Sequence, residues 1–170
     1  MTIGRVAVIG VGNDFRRDDG VGPAVIRQLQ QHELASVSLT VVDGEPTQLL
    51  DAWAGMDLAI VVDAVLCEPS IPGRIHRTSI RAQLGSVGSS STHGLGIPEA
   101  LRLAEVLGRA PARFVVYAVE AADLGLGVGL SADVAGAVPG VTRAVLRELA
   151  EPDARPRDDQ LTLGAFPHED

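Results

Sequence analysis

Four short, almost purely apolar runs divide the sequence, and their spacing constrains the fold more than any other feature. They lie at residues 5–10, 38–42, 58–62 and 114–119. Runs of this length that are rich in Val and Ile predict strands buried on both faces of a sheet. Because helical patterns fill most of the intervals between them, the order of elements predicts a parallel sheet joined by helical crossovers.

The predicted fold class is therefore α/β, a single three-layer domain with a mostly parallel sheet and helices on both faces. Residues 74–77 are consistent with one further short strand, antiparallel at an edge of the sheet. A Pro139-Gly140 pair predicts a kink or break in the last helix, for which Ser131 is a suitable N-cap. Helical periodicity predicts the helices at residues 20–32, 47–53, 98–107 and 131–149.

The length of the chain suits one domain. We assign residues 1–150 of the 170 to an α/β protease-like domain and predict that residues 151–170, rich in Pro, Asp and Arg, form a disordered tail. Hydrophobic residues make up 46% of the chain but aromatic residues only 3%, so the core must consist mainly of Val, Ile, Leu and Ala.

Charge and cysteine content narrow the function classes. The formal net charge of -8 leaves no basic surface for nucleic acid or anionic lipid, so neither a nucleic-acid nor a membrane partner is expected. Cys67 is the one cysteine, which excludes a disulfide framework and favours a cytoplasmic location. No partner group stands near it in sequence, and we expect an inert thiol.

Acidic residues follow the predicted strands at the edge where ligands bind in such sheets, outside the carboxyl ends of the strands. Asp18 and Asp19 follow the first strand, Asp43 the second and Asp63 the third. Each of these residues could instead have a purely structural role, since an aspartate before a helix often caps that helix and an aspartate after a strand often caps a loop. With Asp14, however, the first pair concentrates negative charge that a cation would neutralise.

A metal site becomes plausible if distant residues converge. Asp19, Asp63 and His93 would supply two carboxylates and one imidazole, leaving an open position for water or a substrate group. His93 taken alone is a surface or helix-flanking histidine. The other histidines are weaker candidates because of their predicted positions at a helix end, in an edge strand and in the tail, namely His32, His76 and His168.

A nucleotide-binding oxidoreductase is a competing interpretation. Gly10 and Gly12 could begin a phosphate-binding turn, and Asp43 occupies the place of the acid that holds a ribose. Phe15 stands where the third glycine is required, and the acidic turn would repel a pyrophosphate. A metal site is therefore the better prediction.

Several of these segments together resemble the hydrogenase maturation endopeptidases. The matching segments occur in the same order as in that family, and they are residues 8–13 (VIGVGN) with 18–22 (DDGVG), 60–64 (IVVDA) with Pro72-Gly73, 92–96 (THGLG) with 99–101 (EAL), and 129–131 (GLS) with Val134. The resemblance implies an endopeptidase that removes the C-terminal extension of a nickel-iron hydrogenase large-subunit precursor after nickel insertion. The partner would be that precursor.

The resemblance also implies roles for single residues. Asp19, Asp63 and His93 would engage nickel that the substrate carries, so the isolated protein is expected without metal, and Asp18 would be a helix cap or support a ligand from behind. The attack on the peptide bond is left open between a nickel-polarised carbonyl and a metal-activated water, with a carboxylate as base. A non-catalytic nickel-binding scaffold that checks the same precursor is the alternative function.

One segment departs from the family pattern. After the second strand the family typically has Asp-Gly-Gly-Thr, whereas this chain has Asp43 and Gly44 followed by Glu45, Pro46 and Thr47. Glu and Pro cannot adopt every conformation that glycine allows, so we expect a loop of different shape, and the identity of the precursor is left open.

Overall fold

A five-stranded sheet forms the centre of the protein in a computed structural model that describes residues 4–81 and 96–151. The strand order is β2-β1-β3-β5-β4, and β4 alone of these strands runs antiparallel to its neighbour. The predicted parallel sheet with an antiparallel edge strand is confirmed. The strands are β1 (Val6–Val11), β2 (Val37–Val42), β3 (Leu58–Val65), β4 (Ile75–Arg81) and β5 (Arg113–Glu120).

Helices cover both faces of this sheet, as predicted. Along β1, Val6 and Val8 enter the core beneath α1 and α4, whereas Ala7 and Ile9 enter the core beneath α2 and α3. This division follows from the two-residue period of a strand. The helices are α1 (Val21–Leu29), α2 (Pro46–Trp53), α3 (Gly96–Val106) and α4 (Ala132–Ala150), and a short 3-10 helix (Arg17–Gly20) precedes α1.

The start of α1 is pressed directly onto the sheet. A Cβ atom added at Gly22 would lie 2.5 Å from the carbonyl oxygen of Val11 and 2.7 Å from that of Val62. A Cβ atom at Gly10 would lie 2.6 Å from the carbonyl oxygen of Gly22. Only glycine at these two positions lets the helix begin directly above the carboxyl ends of β1 and β3.

Tertiary contacts account for two differences from the predicted elements. A break in the last helix is absent, because α4 continues from Ala132 to Ala150 with Pro139 inside it. Pro139 faces solvent, and buried side chains of α4 on the opposite face hold the helix on the sheet. The third strand continues past Asp63 to Val65, because its pairing with β5 extends to that residue.

Two predictions fall on residues 1–3, 82–95 and 152–170, which are outside the described structure. They are the site role of His93 and the disordered tail at residues 151–170, of which only residue 151 is described. Among the described residues, no helix combines the length and the hydropathy that crossing a membrane requires.

Candidate active site

Asp19 reaches the carboxyl edge of the sheet from the 3-10 helix that follows β1. Its Oδ2 atom accepts a hydrogen bond of 2.9 Å from the backbone N–H of Asn13. Gly12 has φ +138, and a Cβ atom there would lie 1.8 Å from the carbonyl oxygen of Asp19. Glycine at position 12 is therefore necessary for the turn that places Asp19 at this edge.

Asp63 reaches the same edge from β3. The pairing of β1 with β3 ends at Gly10 and Val62, so Asp63 follows immediately after the last pair. β2 lies on one side of β1, and β3 lies on the other side. The connections after β1 and β3 therefore leave in opposite directions, and the ends of β1 and β3 form the switch point at which α/β sheets bind ligands. Asp19 and Asp63 are both half-buried in this position.

A cleft of about 630 Å³ opens between these strand ends. Asp19 and Asp63 form part of its wall, and Arg16 contributes a positive charge. The remaining acidic residues of the wall come from the loop after β2 and from the first turn of α3, and they are Asp43, Glu45 and Glu99. Five carboxylates facing one guanidinium among the described lining residues favour a cationic ligand or substrate group.

The pKa values of both cleft aspartates are raised. Burial, with a further contribution from the charge of Asp19, raises the pKa of Asp63 to about 7. Burial also raises the pKa of Asp19, although the N–H of Asn13 and the charge of Arg16 act in the opposite direction. Two interacting carboxyls titrate as a pair, and a bound cation would favour ionisation of both.

Asp18 has a different role from the one that its position suggests. Its side chain is fully buried and accepts hydrogen bonds from the N–H groups of Ala122, Asp123 and Ser131 and from the Ser131 hydroxyl, at 2.7–3.1 Å. Burial alone would raise the pKa of Asp18, but these bonds hold it below its ordinary value. Asp18 thus fixes the loop between β5 and α4.

The expectation that Asp18 or Asp19 caps a helix is wrong. Neither the 3-10 helix nor α1 has a side-chain capping bond, and Gly20 occupies the N-cap position of α1. The expected concentration of three carboxylates is also wrong, because Asp14 forms an ion pair with Arg27 at 2.8 Å. Of the three acids in this turn, Asp19 alone lines the cleft within the described structure.

The loop that departs from the family pattern forms part of the cleft wall. Gly44, Glu45 and Pro46 all line it, and Pro46 is the first residue of α2. The Asp43 carboxylate accepts a hydrogen bond from the N–H of Glu45, and the backbone N–H of Asp43 donates to the side-chain oxygen of Gln48. The loop that is predicted to differ in shape is therefore part of the cleft wall.

The structure gives Gly10 in β1 and Gly12 directly after it a role other than phosphate binding. Gly10 makes room for α1 and Gly12 makes room for the backbone of Asp19, so their presence needs no nucleotide. Sequence reasoning did not identify Arg16 and Leu124 as cleft residues. Arg16 had only its position after β1 as a signal, and Leu124 had none.

Comparison with known proteins identifies the family of this chain. The family model for hydrogenase maturation protease, HycI, matches residues 23–148. Over 161 residues the chain is 26% identical to the hydrogenase 2 maturation protease of Escherichia coli (strain K12), covering 91% of this chain and 97% of that protein.

Two further similarities agree with this match. The chain is 29% identical over 123 residues to the hydrogenase expression/formation protein HupD of Thiocapsa roseopersicina, covering 70% of this chain and 55% of that protein. The solved structure of the hydrogenase maturating endopeptidase HybD from E. coli has the same fold, with a TM-score of 0.72 at 24% identity over 88% of this chain and 94% of that one. The chain belongs to the hydrogenase maturation protease family.

Proposed function

We propose that this protein is an endopeptidase that removes the C-terminal extension of a nickel-iron hydrogenase large-subunit precursor after nickel has been inserted. The observation that carries the proposal is the pair of half-buried carboxylates, Asp19 and Asp63, at the switch point of the sheet. Family membership supplies the reaction class, and this acidic cleft supplies the selectivity for a metal-loaded substrate.

Nickel in this proposal belongs to the substrate and acts as the recognition element. Asp19, Asp63 and His93 are the residues that would engage it. Carboxylate and imidazole groups are suitable ligands for a divalent transition metal, and its charge would offset the repulsion between the two aspartates. His93 precedes α3 by three residues, and Ile97 and Glu99 in the first turn of that helix line the cleft.

The chemistry falls to carboxylates. When seated in the cleft, the nickel of the substrate would supply positive charge near the scissile carbonyl. Burial raises the pKa of Asp63 to about 7 in the free protein, and the charge of the seated nickel would favour its ionised form, which can accept a proton from water as a general base. Asp19 is held in place by the N–H of Asn13 while it orients the metal-bearing segment. The enzyme would thus be an aspartyl-type endopeptidase without a covalent intermediate.

The acidic wall supports selection of the precursor. Glu45 and Pro46 stand in place of the second glycine that the family typically has before the threonine, and they restrict which precursor segment fits beside Asp43. The proposal also includes a cytoplasmic site of action, in agreement with a sequence whose one cysteine can form no internal disulfide.

Intact-mass analysis of the cognate precursor tests the proposal. Nickel-loaded and nickel-free precursor would each be incubated with the unmodified protein and with Asp19→Asn, Asp63→Asn and His93→Ala variants. Asp51→Asn is the matched control, because Asp51 is exposed on α2 and lies outside the cleft. We expect the loaded precursor to lose a C-terminal peptide when it is incubated with the unmodified protein or with Asp51→Asn. We expect no loss from nickel-free precursor, and none with the three site variants.

Other outcomes would redirect the proposal. Cleavage of nickel-free precursor at the same rate would exclude nickel as the recognition element. Metal-dependent binding of the loaded precursor without any loss of mass would favour the non-catalytic scaffold, since a checking site needs the same ligands as a cutting site.

A further inference from the structure

A second group of metal-binding side chains lies near the end of β5, outside the cleft. Cys67, His76 and Glu120 each offer one ligand atom, and these three atoms lie within 4.8 Å of one another. None of the three is among the described residues that line the cleft. We propose that Cys67, His76 and Glu120 bind a divalent cation of the zinc class, at a site separate from the one that engages substrate nickel.

The fold brings these residues together from three segments. Cys67 follows the end of β3 by two residues, His76 is the second residue of the edge strand β4, and Glu120 is the last residue of β5. Val65 pairs with Glu120 and His76 pairs with Ala118, so the ends of the three strands lie side by side. Two of the ligands are therefore placed by sheet register rather than by a free loop.

Glu120 is oriented as a ligand with one oxygen directed at its neighbours. Its side chain is only 3% exposed, its Oε2 atom accepts a 2.5 Å hydrogen bond from the N–H of Ile71, and its Oε1 atom lies 2.7 Å from Nε2 of His76. A backbone donor on the far oxygen is the kind of outer contact that fixes a metal-binding carboxylate. A cation between Oε1 and the imidazole would replace their direct hydrogen bond.

The segment that carries Cys67 is also fixed to β5. The N–H of Gly73 donates to the carbonyl oxygen of Glu120 at 2.8 Å, and the N–H of Glu120 donates to the carbonyl oxygen of Arg74 at 2.9 Å. The Ser70 hydroxyl donates to the carbonyl oxygen of Ala121 at 3.0 Å. These bonds hold the connection between β3 and β4 against the cluster, so little ordering would oppose binding.

The charges and donor types suit zinc. A thiolate and a carboxylate would neutralise a divalent cation, and a neutral imidazole completes three ligands with one position left for water. Arg74 lies 3.9 Å from Glu120, and its side chain is 39% exposed, so it can turn toward solvent when a cation binds. Burial and the charge of Glu120 raise the pKa of the Cys67 thiol, so binding must release a proton.

Cobalt(II) titration of the full-length protein tests this site. Because Cys67 is the one cysteine in the chain, any thiolate-to-cobalt charge-transfer absorption must come from it. We expect one equivalent of Co²⁺ to produce this absorption, Zn²⁺ to abolish it, and Zn²⁺ to raise the melting temperature. The double variant Asp19→Asn with Asp63→Asn is the control, and it should give the same titration as the unmodified protein.

Variants of the cluster separate a built site from a reactive thiol. Cys67→Ser should remove the absorption, and His76→Asn or Glu120→Gln should weaken cobalt binding about 10–100-fold. Circular dichroism checks that each variant is folded, and Cys67→Ser changes only the sulfur atom. The proposal would be overturned if the unmodified protein gave no charge-transfer absorption. It would also be overturned if His76→Asn and Glu120→Gln bound cobalt as tightly as the unmodified protein.

Discussion

Two adjacent aspartates in this protein have opposite roles, and their hydrogen-bond partners determine which role each has. Asp18 is buried, and backbone and hydroxyl donors of one distant loop surround its carboxylate. Asp19 is half-buried in the cleft and is held by the N–H of Asn13. One residue therefore contributes to stability and the next is available for chemistry.

Replacing Asp18 by asparagine should destabilise the protein by about 1–3 kcal/mol or more, because an amide NH₂ would face N–H donors in a buried site. Asp19→Asn should cost less than about 1 kcal/mol, since its amide oxygen can still accept from Asn13. Urea unfolding measures both. Equal losses in the two variants would contradict this division of roles.

The lowered pKa of Asp18 also predicts a pH dependence. The stability that the Asp18 carboxylate contributes should be lost only as the pH falls through that lowered pKa.

The raised pKa of Asp63 makes stability depend on pH. The folded protein keeps this proton up to about pH 7, whereas an ordinary carboxyl loses it near 3.8. Between these values the folded state binds more protons, so stability falls as the pH rises. With Asp19 and Arg16 beside it in the cleft, ionised Asp63 should cost roughly 2–4 kcal/mol above pH 7.

Asp63→Asn should remove this cost, and its gain in stability over the unmodified protein should grow from pH 4 to pH 7. Unfolding of both proteins in a metal chelator, followed across that range, gives the comparison. If the two curves of stability against pH ran parallel, the environment assigned to Asp63 would be wrong.

At the scale of elements, the contact of α1 with β1 and β3 determines where the site lies. Gly22→Ala would force a methyl group against the backbone of Val11 and Val62 and should cost about 1–3 kcal/mol or more. It should also lower the rate of precursor cleavage, because Asp19 lies in the 3-10 helix that leads directly into α1. Thermal unfolding and the mass assay measure the two effects.

Gly136→Ala is the matched control. Gly136 is exposed within α4, and a Cβ atom there would meet nothing within 4 Å. This change should raise stability by about 0.5–1 kcal/mol through helix propensity and leave cleavage unchanged. A loss of stability at both glycines would mean that the contact of α1 with the sheet is not the cause.

The elements themselves were predictable because their periodicity is local. All four apolar runs are strands and the edge strand is antiparallel, whereas the end of β3 depends on pairing with β5, which its own sequence does not reveal. The role of Asp18 could not be predicted, since its partners follow it by more than a hundred residues. The group of Cys67, His76 and Glu120 could not be predicted either, since Glu120 follows His76 by 44 residues and only the sheet brings them together.

At the scale of the whole molecule, α4 joins the site to a separate stabilising cluster. Its N-cap residue, Ser131, binds Asp18 beside the loop that reaches the cleft. Near its other end, buried Glu148 binds Arg77, Arg113 and the Tyr117 hydroxyl. Burial and the charge of Glu148 raise the pKa of Tyr117 to about 12, so this hydroxyl stays protonated and donates.

Glu148→Gln tests whether stability and activity are separable along this helix. The change would leave two guanidinium groups near a neutral amide and should cost about 3–5 kcal/mol in urea unfolding, whereas the exposed Glu151→Gln should change stability by less than about 0.5 kcal/mol. Glu148 and its partners Arg77, Arg113 and Tyr117 are not among the described residues that line the cleft. Cleavage per folded molecule should therefore be unchanged well below the melting temperature. Asp19→Asn should show the reverse pattern, with cleavage lost and stability kept. A Glu148→Gln protein that is fully folded but inactive would show instead that α4 transmits the state of this cluster to the cleft.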